Sequence, residues 1–191
     1  MAVNGQLVVD GGRITAARPG RPLFGPGYKG PAKPAVDLTR PATDVLASDI
    51  AAALQKAPAT SVSDQPIRVV DVGEYNVGVF VVNRPKASKQ SAVLHDNRVC
   101  EIYYMLEGAG TLVTGGTLVD PQRVPSDSRV VTQINGPSIG GSSIKDGASR
   151  RIAKGDVVII PGGTPHWWSE IQADITYLVL RPDPDHILQN K

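Results

Sequence analysis

From residue 66 onward the chain is a succession of short runs of β-branched and aromatic residues, each closed by Gly, Pro, Asn, Asp or Ser. The runs read IRVVDV, YNVGVFVVN, SAVLH, EIYYML, TLVTG, VVII, HWWSEI and ITYLVLR. Turn signals at this density predict an all-β sandwich or barrel. The stretch from Thr114 to Lys154 is more polar and reads as an inserted loop or hairpin excursion, with Arg129 to Ile134 as its strand candidate.

The first 41 residues cannot join that architecture as a central strand or packed helix. Pro19, Pro22, Pro26, Pro31, Pro34 and Pro41 alternate with Gly20, Gly25, Gly27 and Gly30, and proline removes ladder donors and clashes inside helices. This segment is expected to be an extended arm whose Leu23, Phe24 and Tyr28 need cover, from its own domain or from a second subunit. Residues 42–65 follow as helix and linker. Within ATDVLASDIAAALQKAP, Val45, Leu46, Ile50, Ala53 and Leu54 recur near a period of 3.6, with Thr43 as N-cap candidate and Pro58 past the stop. The barrel itself is expected over 66–182, with 114–154 inserted, and a tail over 183–191.

The length of 191 residues, with 41% apolar residues, suits one folded domain plus an arm and excludes disorder of the whole chain. Lys plus Arg is 20 against 18 for Asp plus Glu, with no basic run, so neither nucleic acid nor an anionic membrane is an expected partner. One cysteine, Cys100, makes no internal disulfide and no zinc finger. MAVNGQLVVDGG lacks the charged start and apolar stretch of a signal peptide, which gives a cytoplasmic expectation.

There are three histidines, and two stand beside turn residues at strand ends. His95 and Glu101 are separated by about 20 Å on a straight strand at roughly 3.3 Å per residue, too far to share an ion. Asp96, Asn97 and Arg98 supply a turn between them, so His95 ends one strand and Glu101 opens the next. Alternation then puts Tyr103 and Met105 on the face of Glu101. In GDVVIIPGGTPHWWSE, Gly155 and Asp156 open a turn, Val157 to Ile160 form a buried strand, and Pro161, Gly162 and Gly163 reverse the chain. His166 begins the returning strand, and alternation places Trp168 and Glu170 on its face.

These two segments resemble the signature motifs of the cupin superfamily. The second reads G-x5-P-x-G-x2-H from Gly155 through Pro161 and Gly163 to His166, with Glu170 where the family motif ends in Asn. The first reads H-x-N-x3-E-x6-G from His95 through Asn97 and Glu101 to Gly108, with Asn97 in place of the family's second histidine. The resemblance implies a jelly-roll barrel of roughly six to eight strands. It also implies one divalent metal held by His95, Glu101 and His166, with Fe, Mn, Ni, Co and Zn all suited to such a donor set. Glu170 and Tyr103 are candidate proton carriers, and Trp168, Arg98 and Met105 are candidate substrate contacts. Cys100 is expected to pack outward, and His186 to be exposed.

Two letter matches carry no chemistry. GPSIG at Gly136 to Gly140 lacks the strand-turn-helix setting of a nucleophile elbow, and GAGTLVTGG lacks a following helix. The functional expectation is a metal-dependent cupin enzyme acting on a small oxygen-rich molecule, a carboxylate or carbonyl, as an oxygenase, lyase, decarboxylase or isomerase. The alternatives are a non-catalytic binding or storage cupin and a barrel serving only in assembly. A homodimer or higher homo-oligomer is expected from the apolar residues of the arm.

Overall fold

The computed structural model describes residues 2, 3, 6, 7, 9–15, 39 and 41–189. The chain divides into two units, Met1–Val36 and Asp37–Lys191. In the first, β1 (Ala2–Val3) pairs with β2 (Gln6–Leu7), and β3 (Val9–Asp10) pairs with β4 (Arg13–Ile14). Gly11 and Gly12, at φ +52° and +79°, make the left-handed turn between β3 and β4. Leu23, Phe24 and Tyr28 lie outside the described residues.

The second unit begins with α1 (Ala47–Gln55). Thr43 does not cap it. The helix starts after Leu46, because the Asp49 carboxylate reaches back to accept the Leu46 N–H at 3.0 Å. Leu46 is thereby left 58% exposed. Among the described residues no helix is long and apolar enough to cross a membrane.

Thirteen strands follow. They are β5 (Ser63–Asp71), β6 (Asn76–Arg84), β7 (Ala92–His95), β8 (Glu101–Glu107), β9 (Ala109–Thr114), β10 (Thr117–Val119) and β11 (Gln122–Arg123). After a π-helical turn at Val130–Ile134 come β12 (Ser138–Gly141), β13 (Ser143–Lys145), β14 (Ala148–Ala153), β15 (Val157–Ile160), β16 (His166–Ile171) and β17 (Ile175–Asp183). A six-stranded sheet runs β11-β12-β7-β16-β9-β14 and a five-stranded sheet runs β15-β8-β17-β6-β5, with every pairing antiparallel. This is a double-sheet, jelly-roll all-β fold, as the resemblance implied.

Alternation along each strand sends one set of side chains into the core. Phe80, Val82, Met105, Tyr177 and Val179 come from the five-stranded sheet, and Leu112, Ile152, Trp168 and Ile171 come from the six-stranded sheet. Truncating a core aromatic such as Phe80 to Ala is expected to cost about 3–5 kcal/mol. Along β17, ITYLVLRPD alternates buried and half-buried through all nine residues, so the parity that buries Ile175, Tyr177 and Val179 also buries Arg181.

Two expectations change here. Strand β5 begins at Ser63, inside the expected linker. Arg129 to Ile134 is a π-helical turn, and the strands of the expected insertion are instead β10 to β14. Strand β12, reading SIGG, pairs along its full length with β7, and β14 pairs with β9. The segment is woven into the barrel. Glycine- and serine-rich strands show no apolar alternation and are held by ladder hydrogen bonds.

Candidate metal centre

His95 closes β7 and His166 opens β16, adjacent strands of one sheet, while Glu101 opens β8 in the facing sheet. The turns bearing these residues touch. A Cβ added to Gly162 would lie 2.7 Å from the Asn97 carbonyl oxygen and 2.8 Å from Arg98 Cα. Only a residue without a side chain lets the turn before His166 approach the turn between His95 and Glu101 this closely. Gly108, the last residue of the first motif, sits at φ +80°, and an added Cβ there would meet the Asp174 carbonyl oxygen at 2.1 Å.

His95, Glu101 and His166 are all buried, and each offers one ligand atom within 4.8 Å of the others. Glu101 Oε2 lies 3.2 Å from His166 Nε2 and 3.7 Å from His95 Nε2. The far nitrogens are already committed. His95 Nδ1 is 2.9 Å from Ser138 Oγ, whose own hydrogen goes to the Gly136 carbonyl at 2.9 Å. The Ser138 oxygen is therefore an acceptor toward His95. His166 Nδ1 is 3.0 Å from the Thr164 carbonyl oxygen, which can only accept. Both rings carry hydrogen on Nδ1 and aim Nε2 at Glu101 Oε2. A cation between the two ring nitrogens and the carboxylate oxygen would be held by all three in a buried space.

Burial drives the His95 pKa down to about 3, against the opposing charge of Glu101, so this ring is neutral and free to ligate near neutral pH. Burial pushes the Glu101 carboxyl upward, but the Arg181 guanidinium and the His95 and His166 side chains together outweigh it and hold the group well below the usual carboxylate range. Arg181 Nη2 and Nε approach Glu101 Oε1 at 2.7 and 2.9 Å. Arg181 also pairs with Asp64 at 2.6 Å through Nη2 and 3.2 Å through Nη1. Tyr103 donates its hydroxyl to Glu101 Oε2 at 3.0 Å. Burial and the Glu101 charge raise the Tyr103 pKa well above the ordinary phenol value, so it keeps its proton.

The other expected site residues lie elsewhere. Glu170 was expected to face inward, but it is exposed, 3.4 Å from Thr111 Oγ1. A bulge between Trp168 and Glu170 inserts Ser169 and reverses the alternation. Arg98 is exposed and paired with Asp185 through both carboxylate oxygens. Met105 and Trp168 are packed in the core, Trp168 against Tyr177 with ring centroids 6.0 Å apart, and neither lines an opening. Asn97 spends both ends of its amide on backbone, its Nδ2 donating to Asn135 O at 2.6 Å and its Oδ1 accepting from Val99 N at 2.9 Å. It braces the turn and does not reach the cluster. Cys100 is half-buried and His186 is exposed. Ser138, Asp64 and Arg181 were not anticipated. For Arg181 the parity of β17 was the available signal.

The crevice that His95, Glu101 and His166 line is closed by Val99, Ile160 and the Pro161–Thr164 turn, and it is too narrow to admit a water molecule. The barrel interior beyond is filled by Trp168, Tyr177, Met105 and Phe80.

No family model and no curated protein matches the chain. Among solved structures it is similar to the DMSP lyase DddQ from Ruegeria pomeroyi DSS-3, at 18% identity and a TM-score of 0.40 over 63% of this chain and 46% of that one. It is similar to an oxalate oxidase at 17% identity and a TM-score of 0.41, over 68% and 54% of the two chains. The polyketide cyclase RemF from Streptomyces resistomycificus is similar at 15% identity and a TM-score of 0.40, over 74% and 79%. The chain spans about half the length of the first two.

Proposed function

We propose that this chain is a metal-dependent cupin enzyme acting on a small carboxylate or carbonyl compound. The observation that carries the proposal is the convergence of His95 Nε2, His166 Nε2 and Glu101 Oε2, with both Nδ1 hydrogens spent on Ser138 and Thr164. These three residues would hold one divalent ion, and two imidazoles with one carboxylate suit Fe, Mn, Ni, Co or Zn. When bound, such an ion supplies a Lewis acid that polarises a carbonyl or carboxylate oxygen, or a centre for oxygen chemistry. The chain's own residues have separate tasks. Ser138 and the Thr164 carbonyl hold the imidazole rings in their ligating tautomer, Arg181 keeps Glu101 ionised, and Tyr103 holds a proton 3.0 Å from Glu101 Oε2.

A second reading, a non-catalytic binding or storage cupin, is favoured by Asn97, which stands where the first motif has its second histidine and spends both ends of its amide on backbone. Oxygen uptake and product analysis over a panel of small carboxylates, with metal-loaded and chelated protein, separate the two. Turnover that disappears with chelation supports the enzyme. Ligand binding without turnover across the panel supports the alternative. A homodimer belongs to the same proposal. Tyr104, Val157 and Ile159 leave an apolar face 44%, 60% and 66% exposed on the five-stranded sheet, as surface that a second copy would cover. Light scattering at twice the chain mass supports it, and a monomer contradicts it.

A further inference from the structure

Arg181 is fully buried, and its guanidinium stacks 4.2 Å from the centroid of the Phe80 ring. On one side it meets Asp64 through two N–H groups, and on the other it meets Glu101 through two more. All of its contacts to Glu101 fall on Oε1, while the histidines and Tyr103 face Oε2. Turning the carboxylate to present both oxygens to the histidines would break the charge-assisted Nε–H to Oε1 hydrogen bond and the 2.7 Å ion pair from Nη2.

We infer that Arg181, anchored by Asp64, is a positioning residue that restricts Glu101 to one oxygen toward the metal centre. This rests on the metal reading above. The guanidinium offsets part of the Glu101 charge: Arg181, Asp64 and Glu101 together carry one net negative charge, so a divalent ion bound there would leave the centre net positive. The centre is thereby suited to an anionic oxygen ligand from outside, a carboxylate or an enolate, in preference to a neutral one.

The test compares wild type with the double variant Asp64→Asn/Arg181→Met, which removes both charges together and leaves neither one buried alone. Arg181→Gln is the second variant, keeping a donor beside Oε1 without the charge. Each protein is titrated with Co2+, its visible absorption is recorded, and the melting temperature of the metal-free form is measured. The expected result is a lower melting temperature in the metal-free variants together with Co2+ binding at least ten-fold tighter. Weaker absorption is also expected, as Glu101 supplies a second oxygen and the coordination number rises. A part in folding alone would lower the melting temperature and weaken Co2+ binding as well. Wild type and variants with equal Co2+ affinity and identical spectra, or variants that bind more weakly, would overturn the inference while leaving the metal reading intact. Wild type that takes up no Co2+ would overturn both.

Discussion

Ser138 decides which nitrogen of His95 faces Glu101, because its hydroxyl hydrogen is spent on the Gly136 carbonyl and its oxygen is left to accept from Nδ1. Replacing Ser138 with Ala removes that acceptor and frees the ring to change tautomer. Groups that orient a ligand in this way are typically worth 10–100-fold in metal affinity. Ser138→Ala is therefore expected to weaken Co2+ binding by that factor, read by titration. Glu170→Gln is expected to change neither Co2+ affinity nor stability by more than about 0.5 kcal/mol, because the side chain is exposed. A Co2+ affinity that fell in the Gln variant would place Glu170 back at the centre. His95, Glu101 and His166 were legible because motif spacing and turn residues name them directly. Arg181 was not anticipated, although the parity of β17, two residues after Val179 on the buried face, carried the signal. Ser138 was not legible, because SIGG has no apolar pattern to mark it as a strand beside His95.

At the scale of elements, the site depends on two turns touching and on one bulge. Gly162 approaches the backbone of Asn97 and Arg98 too closely for any Cβ, and the obstructing atoms are backbone. Gly162→Ala is expected to cost roughly 1–3 kcal/mol in urea unfolding and to weaken Co2+ binding, because His166 moves with its turn. Loss of stability with unchanged affinity would show that the turn contact serves folding alone. The bulge at Ser169 is the reason the expected position of Glu170 failed. Period-2 alternation holds only while the register does, and nothing in HWWSEI announces the extra residue. The polar strands β10 to β14 were missed for a related reason. Strand β12 is placed by its ladder with β7, β14 by its ladder with β9, β11 by β12, and β10 and β13 by each other, long-range pairings that local composition does not report.

For the whole molecule, the buried centre sets a pH dependence on the metal-free fold. His95 protonates near 3 when folded and near its ordinary 6.5 when unfolded. Below pH 6.5 the unfolded chain gains a proton that the folded chain does not accept, so stability present above that pH is lost as pH falls. The loss attributable to His95 is about 2 kcal/mol at pH 5. Glu101, also held below its ordinary value, acts in the same direction below pH 4.5. Urea unfolding of chelated protein at pH 7 and pH 5 measures this, and equal stabilities would contradict a neutral buried His95. A bound divalent ion adds stability by mass action, about 2.7 kcal/mol at a free concentration 100 times Kd. The central claim is that His95, Glu101 and His166 form one metal centre. Its most direct measurement is equilibrium dialysis of the chelated chain against Co2+ or Zn2+, followed by metal analysis, for wild type and for His166→Ala. The account predicts one ion per wild-type chain and a loss of that ion in the variant; no bound metal in wild type, or an undiminished ion in His166→Ala, would contradict it.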